Sequence, residues 1–513
     1  MKKKLNLTGI LLIAAFVVFL VLAGRGMPPR DLLITTLRGF SVGSVTFLVA
    51  AGFSLIFGLL DVLNLAQGTL YMIGAYVGWT VFARPDTFVD VTPIILFLMA
   101  GFALNFLWDY LADKIKLDPQ KKKILGWSMV VVAVALAAFI LPRYPIAMWQ
   151  LNNYAQSPIS FSYMADQGIR LPVAPAQAKG IPPMLALYGG LAISALLAFG
   201  LALIRYKENR QHSLHWKKWQ VFVILLLLGT LIMAFNTPLS NWLMDMNTNW
   251  LFIIAIVVSV LSVVGLGALM EKTMIQPLYS RPVYQLMLTL GLGTIGMQLV
   301  KAIWGMPEFV LPKPEFFRGA GAACPATSIK DIFTHNCSTI MILGGRVRVY
   351  DEIVLPIIGI TVLILVWLLL KKTRIGMIIR AGVQDSNMVE ALGINVRRVF
   401  TFVFALGAGL AALGGVLSAP SNGLSVAMGE KLLLNALIAL AIGGLTSYPG
   451  AALGSLMVGL IQQFMIKYGQ IGIPIPFTDI IFKPTPAIIP ASTMLLMVIV
   501  LLILPNGLLG RQD

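Results

Sequence analysis

Residues 353–418 decide the fold: IVLPIIGITVLILVWLLL (353–370), KKTRIGMIIRAGVQDSNMVEALGINVRR (371–398) and VFTFVFALGAGLAALGGVLS (399–418). The two outer blocks are apolar and close to the roughly 20 residues that a helix needs to cross a bilayer. The block between them is basic and hydrophilic, and Lys and Arg are retained on the cytoplasmic side of bacterial-type membranes. Its middle reads as a short, isolated helix. Asp385, Ser386 and Asn387 offer N-cap oxygens, Met388 to Leu392 are mostly good helix formers, and Gly393 suits the left-handed C′ position. Ile394 then falls at C″, where an apolar residue packs back on the last turn. Two spans holding a rigid helical knob at the cytoplasmic face describe a membrane protein that presents a handle to a partner.

Working outward, the same alternation fills the chain. It has 513 residues, 58% hydrophobic and only 12% charged, with a mean hydropathy of +0.87. The expected fold is an all-α integral membrane protein, a polytopic bundle of about 12–14 spans. Hydropathy places these near 8–24, 31–60, 62–82, 92–108, 124–141, 185–204 and 220–235, then near 251–270, 284–304, 353–370, 399–418, 431–447, 449–466 and 488–504. The basic loops 109–123, 205–218, 271–283 and 371–398 then all fall on the cytoplasmic side, which supports the parity of the count. Gly-rich and polar breaks within 31–82 and 431–466 leave broken or re-entrant helices as the alternative there. The net charge of +17 reflects these loops and contact with anionic membrane lipid. No basic, aromatic surface domain points to nucleic acid.

Met1 to Gly24 reads either as a cleavable signal peptide or as an uncleaved first span, and its apolar core is long for a signal. Cys324 and Cys337 are the only cysteines. They share a loop that the topology places outside, where disulfides persist, so a Cys324–Cys337 bridge is expected. With His335 they would make a poor metal site, because the ligand spacing is not tight. His212 and His215 sit in a basic cytoplasmic loop and read as solvated.

Polar residues inside spans are costly and face a bundle interior or a wet cavity. Asp61, Asn64 and Gln67 fall at helical spacing after Gly58. Asn64, Gln67 and the adjoining Gly68 are therefore candidates for the translocation path, and helix–helix hydrogen-bond glue is the alternative role for Asn64 and Gln67. Gly407, Gly414, Gly415, Gly443, Gly444, Gly450, Gly454 and Gly459 form seams where backbones can approach closely. Motifs for chemistry are absent. The sequence has no G-x-x-x-x-G-K-[ST] loop, no HExxH and no GxSxG. Neither does it distribute buried acids and histidines along several spans as proton relays require. A carrier with no motor of its own and a cytoplasmic knob implies a separate ATPase.

Several ordered motifs resemble the permease family of ABC importers for branched-chain amino acids. Gly39 to Gly78 is similar to the family's N-terminal signature, with Asn64-Leu65-Ala66-Gln67-Gly68 followed by Gly74-Ala75-Tyr76. Leu65 and Gln67 replace the commoner Phe and His. Glu271-Lys272, Gln276-Pro277-Leu278, Arg281-Pro282 and Thr289-Leu290-Gly291 resemble the next block. The strongest likeness covers Thr373 to Gln462, and Leu504-Pro505-Asn506-Gly507-Leu508-Leu509-Gly510 is like the family's terminus.

The resemblance implies a permease subunit of the cell (inner) membrane, without cofactor or enzymatic activity. Its partners would be cytoplasmic ATP-binding subunits, a second permease subunit and an extracytoplasmic substrate-binding protein that delivers branched-chain amino acids. It also implies that the ATPases grip Asp385, Glu390, Ala391, Leu392, Gly393, Ile394 and Arg397. The runner-up is a stand-alone channel or carrier for urea, short amides or another small solute. The chain then divides into three regions: 1–83 with the N-terminal signature, an inserted 84–250 with extra spans, and 251–513 with the core and its coupling loop at 371–398. The insertion departs from the family pattern, and an even number of extra spans preserves the orientation of every later span.

Overall fold

In lipid every backbone N–H and C=O must be satisfied within the chain, so apolar runs of this length fold as helices. The computed structural model describes residues 7–510 except 61–62, 147–179, 205–215, 280, 306–307, 309, 322–323, 385 and 475–480. Asp61, Asp385, His212, His215 and most of the loop from Tyr144 to Pro183 lie outside the described residues.

The chain begins with α1 (Leu7–Gly24), α2 (Pro29–Leu60) and α3 (Gln67–Ala83). Next come α4 (Pro85–Ala103), α5 (Asn105–Lys114), α6 (Pro119–Ile140), α7 (Pro183–Ile204), α8 (Trp216–Ala234) and α9 (Asn236–Asp245). After α10 (Thr248–Met270) and α11 (Pro282–Trp304), a small module holds α12 (Ile329–His335) and the hairpin β1 (Thr339–Ile342) to β2 (Gly345–Arg348). Then come α13 (Leu355–Lys372), α14 (Arg374–Gln384), α15 (Ser386–Ala391), α16 (Val396–Asn422), α17 (Met428–Gly443) and α18 (Tyr448–Ile471). A two-residue ladder, β3 (Ile473–Pro474) with β4 (Ile481–Phe482), precedes α19 (Ile488–Ile503).

Among the described residues, nine helices are long and apolar enough to cross a membrane, or ten if the pair α8 and α9, bent by 74°, is one span. The fold is a polytopic all-α membrane bundle. Two boundaries move from where hydropathy put them. The expected span 62–82 starts at Gln67, because residues 63–66 leave the helix and turn. The expected pair 431–447 and 449–466 becomes α17 and α18. Gly444, at φ +102°, ends α17, a conformation that only glycine adopts freely. Ser447 then caps α18 by accepting from the Gly450 N–H. Pro449 lies in the first turn of α18, where its missing N–H is tolerated.

The chain divides into two compact units, residues 83–246 and residues 1–82 with 247–513. Within the first, α4 packs on α7 and α8, and α6 packs on α7. Its buried charges are matched. Arg84 donates twice to Asp86 (2.9 and 2.7 Å), Asn236 donates to Asp90 (2.8 Å), and Lys122 donates to the Ala112 carbonyl (3.2 Å). Unpaired, each would carry a desolvation penalty of several kcal/mol, on the order expected for buried ions.

Within the second unit, α2 lies against α16 and α18, α10 against α16, and α17 against α18 and α19. The contacts run along small residues. A Cβ on Gly407 would lie 2.8 Å from the Gly52 carbonyl, and one on Gly74 would lie 2.5 Å from the Ala412 Cα. Gly443 meets Gly450, and Gly454 meets Ala439, at comparable backbone separations. These approaches replace hydrophobic driving force, which lipid does not supply, with dispersion. The β-module has its own core of Ala326, Ile332, Cys337, Ile340, Val347 and Val349. Its hairpin pairs Thr339 with Arg348 and Ile342 with Gly345. Leu343 and Gly344 take φ of +49° and +74° at the tip, the twist that a two-residue hairpin needs.

Candidate functional site

A cavity of about 370 Å³ opens within the second unit, walled by α2, α3, α13, α16, α17 and α18. Its position is set by where two helices stop and start. α16 leaves the 371–398 loop at Val396 and ends at Asn422, where Gly423 (φ +70°) donates to the Ala419 carbonyl (3.0 Å). The chain turns through Ser425 and starts α17 at Met428 with no side-chain cap. α3 starts nearby, and Gly68 and Gly429 place the first turns of α3 and α17 back to back. A Cβ on either would collide with the other's carbonyl oxygen. Two helices thus begin side by side, and residues of both line the space.

The lining is polar for a membrane bundle. Ser41, Tyr71, Ser421, Asn422, Ser425, Asn435 and Gln462 all face it, with Val42, Val45, Leu355, Met428 and Leu432 between them. Tyr71 and Ser418 share a short hydroxyl hydrogen bond, and Gln462 donates to the Asn435 Oδ1 (3.0 Å). On α17, Met428, Lys431, Leu432 and Asn435 recur at the spacing of one helix face. Lys431 is the only Asp, Glu, Lys or Arg among the described residues of the lining.

At the outer rim, Ser421 donates to Asp351 by a short hydrogen bond. Asp351 is paired in turn with Lys313 (3.0 Å) and Arg348 (3.1 Å). The next residue, Glu352, is buried and pairs with Arg38 of α2 (2.7 Å), and Tyr350 donates to the Leu417 carbonyl (2.7 Å). This π-helical turn, Val349–Val354, ties the β-module to the last turns of α16. The module is stapled by the Cys324–Cys337 disulfide, with a Cα separation of 5.5 Å. α12 starts in a reciprocal capping box between Ser328 and Asp331. Hydrogen bonds from Ser328 and Thr327 hold the Asp331 carboxyl below its usual range.

The candidate path residues sit beside this cavity rather than in its wall. Asn64, Gln67 and Gly68 are fully buried. The Asn64 backbone carbonyl accepts from the Gln67 N–H (3.1 Å), and its Nδ2 donates to the Gln67 Oε1 (3.2 Å). Gln67 Nε2 then reaches the Gly407 carbonyl in the middle of α16 (2.8 Å). That geometry matches their alternative role, hydrogen-bond glue between helices. Tyr71, one turn further along α3, is the residue of this segment that reaches the cavity.

At the opposite end of α16, the loop forms α14 and α15. Leu392, Gly393 and Ile394 close α15 with both bonds of a Schellman motif: Gly393 N–H to Glu390 O (2.9 Å) and Ile394 N–H to Val389 O (3.3 Å). Gly393 has φ +80°, and a Cβ there would meet nothing within 4 Å. Val389, Val396 and Ile379 turn inward, whereas Met388 (64% exposed) and Leu392 (75%) point away from the bundle. Glu390, Ala391 and Arg397 are exposed and Ile394 is half-buried.

Sequence reasoning assigns no role to two groups. Glu271 is fully buried in a π-turn at the end of α10. It accepts short hydrogen bonds from Tyr279 and from Thr401 of α16. A lone acid at the end of an apolar span is the available signal. The cavity wall itself draws on residues from 41 to 462, and no local pattern announces such an assembly.

Comparisons with known proteins agree with this architecture. The family described as "Branched-chain amino acid transport system / permease component" matches residues 178–505. That stretch takes in the 371–398 loop and most of the cavity wall, while the 39–79 block lies outside it. The high-affinity branched-chain amino acid transport system permease protein LivH of Escherichia coli is 28% identical over 163 residues, 32% of this chain and 48% of that protein. LivH of Salmonella typhimurium is 23% identical over 324 residues, 62% of this chain and 92% of that protein. BraD of Pseudomonas aeruginosa, a permease protein of the same description, is 29% identical over 173 residues, 33% and 51% of the two chains. The chain therefore spans about half the length of the first and third of these relatives. No solved structure matches it. With the family's pattern extending over well more than half of its length, this chain belongs to the branched-chain amino acid transport system permease family.

Proposed function

We propose that this chain is the transmembrane permease subunit of an ATP-driven importer in the cell (inner) membrane. It passes branched-chain, hydrophobic amino acids that an extracytoplasmic binding protein delivers. The observation that carries this reading is α16. Its 27 residues make a continuous helix about 40 Å long. One end is joined to the capped α15 knob and the other forms the cavity wall. ATP-binding subunits that seat Met388 and Leu392 in an apolar cleft, with Glu390 beside them, would hold this lever. Arg397 and Arg398 would pair with acidic residues there. Closure of the ATPases then moves knob and helix as a rigid body, and the cavity switches access between the two sides. A second permease subunit completes the pore.

A wall of serines and carboxamides also suits a small neutral amide, so a channel for urea or short amides is the competing reading. Affinity purification of the tagged chain from its native membrane separates the two. The importer reading expects ATP-binding subunits, a second permease and a binding protein to copurify. A chain that purifies alone and moves solute without ATP would sink it.

A further inference from the structure

Lys431 is the only Asp, Glu, Lys or Arg among the described residues of the cavity lining. It is exposed near the start of α17 and makes no ion pair among the described residues, so its ammonium is open to an incoming anion. Among the described residues, no Asp or Glu lines the cavity. Glu430 adjoins Lys431 in sequence but is not part of the wall. The acid bonded to the wall from outside, Asp351, is already held by Lys313 and Arg348. Its neighbour Glu352 is held by Arg38. The rim cluster of Lys313, Arg348, Arg38, Asp351 and Glu352 thus has more cations than acids, so it adds to the positive field of Lys431. Uncapped first-turn amides of α17 act in the same direction at the same wall.

We propose that Lys431 is the carboxylate-binding residue of the cavity and that it limits the path to solutes carrying a free carboxylate. This rests on the cavity being the translocation path, as proposed above, and it goes further by excluding urea and simple amides. A carboxylate at Lys431 gains charge-assisted hydrogen bonds from the ammonium, while Asn435, one turn along the same face, adds an amide donor. The solute's apolar side chain then falls toward Val42, Val45, Met428 and Leu432. A neutral amide leaves the cation unmatched and gains none of this.

The chain's two cysteines are bonded to each other, so Lys431→Cys creates a unique thiol. The full importer with this substitution is reconstituted in proteoliposomes, and uptake of labelled leucine is measured before and after thiol modification. Loss of one partner of a charged hydrogen-bonded pair predicts uptake reduced about tenfold or more. Aminoethyl methanethiosulfonate, which restores an ammonium, should return uptake, whereas the neutral methyl reagent should not. Lys431→Arg should keep uptake, and leucinamide should fail to compete with leucine in the wild type. Unchanged uptake in Lys431→Cys, equal rescue by the neutral reagent, or wild-type transport of urea in place of leucine would each overturn the assignment. ATP dependence reports separately on the importer reading. Leucine uptake that ignores ATP but still requires Lys431 would refute the importer and leave the carboxylate site standing.

Discussion

Substitution at Gly393 gives the cleanest test of the docking knob, because the structure isolates one physical effect. The residue sits at φ +80°, and an added Cβ would meet nothing within 4 Å. Any cost therefore comes from the backbone and not from packing. An L-residue in the left-handed region loses about 1–2 kcal/mol. Gly393→Ala and Gly393→Val should thus lower the population of the capped knob roughly 5- to 30-fold relative to its alternatives. Gly393→Asn, which tolerates this region, should fall between them and the wild type. Gly393→Pro goes further. It forces φ to about −65° and removes the N–H that bonds Glu390, a change of about 3 kcal/mol or more. The assay is solute-stimulated ATPase activity of the reconstituted complex, with membrane insertion and thermal unfolding as controls. The expected order of stimulation is Gly, Asn, Ala, Val, Pro, with insertion and unfolding unchanged throughout. Full stimulation and uptake in Gly393→Pro would refute the reasoning.

Packing makes other substitutions informative. Glu271→Ala leaves the hydroxyls of Tyr279 and Thr401 without their buried partner, at a cost of about 1–3 kcal/mol. Thermal unfolding should show that loss, and Glu271→Gln should recover part of it. Gly415→Val drives a side chain into the Tyr71 carbonyl. It should lower the yield of folded protein in detergent, while Gly265→Ala, where nothing stands within 4 Å, should not. Cys337→Ser opens a loop closed across a sequence separation of 13, which destabilises the β-module by about 3 kcal/mol. Limited proteolysis should then cut between residues 311 and 349 while the spans stay intact. Acid acts on the same module. The Asp331 carboxyl is held below its usual 3.8, so its capping contribution is complete above that value and fades as pH falls below it. Protection of the α12 amides, with exchange rates corrected for their intrinsic pH dependence, should fall over that acid range and stay flat from pH 5 to 8.

The sequence is most legible where structure is local. Membrane spans announce themselves through continuous apolar runs, and the Gly393–Ile394 cap needs only six consecutive residues. The Cys324–Cys337 bridge involves one pair in one loop. Boundaries in the Gly-rich region are harder, since Gly444, Ser447 and Pro449 allow several breaks and only the approach of α17 to α18 selects one. Polar residues inside spans are hardest to rank. Gln67 and Tyr71 lie one turn apart on α3, yet Gln67 spends its amide on the Gly407 carbonyl and Tyr71 reaches the cavity. Which of them is wetted depends on α16 and α17, which lie more than three hundred residues later. Lys431 likewise reads as a span's first basic residue until the chain from Gly423 to Met428 turns it toward the cavity.

The central claim is that force applied to the knob by an ATPase moves solute through the cavity, and one measurement tests it most directly. Purified complex is reconstituted with ATP enclosed on the side of the 371–398 loop, and binding protein with labelled leucine is supplied on the other. The account predicts accumulation of leucine above its external concentration, abolished by a non-hydrolysable ATP analogue or by omitting the binding protein. Equal uptake without ATP, stopping when the two sides equilibrate, would contradict it.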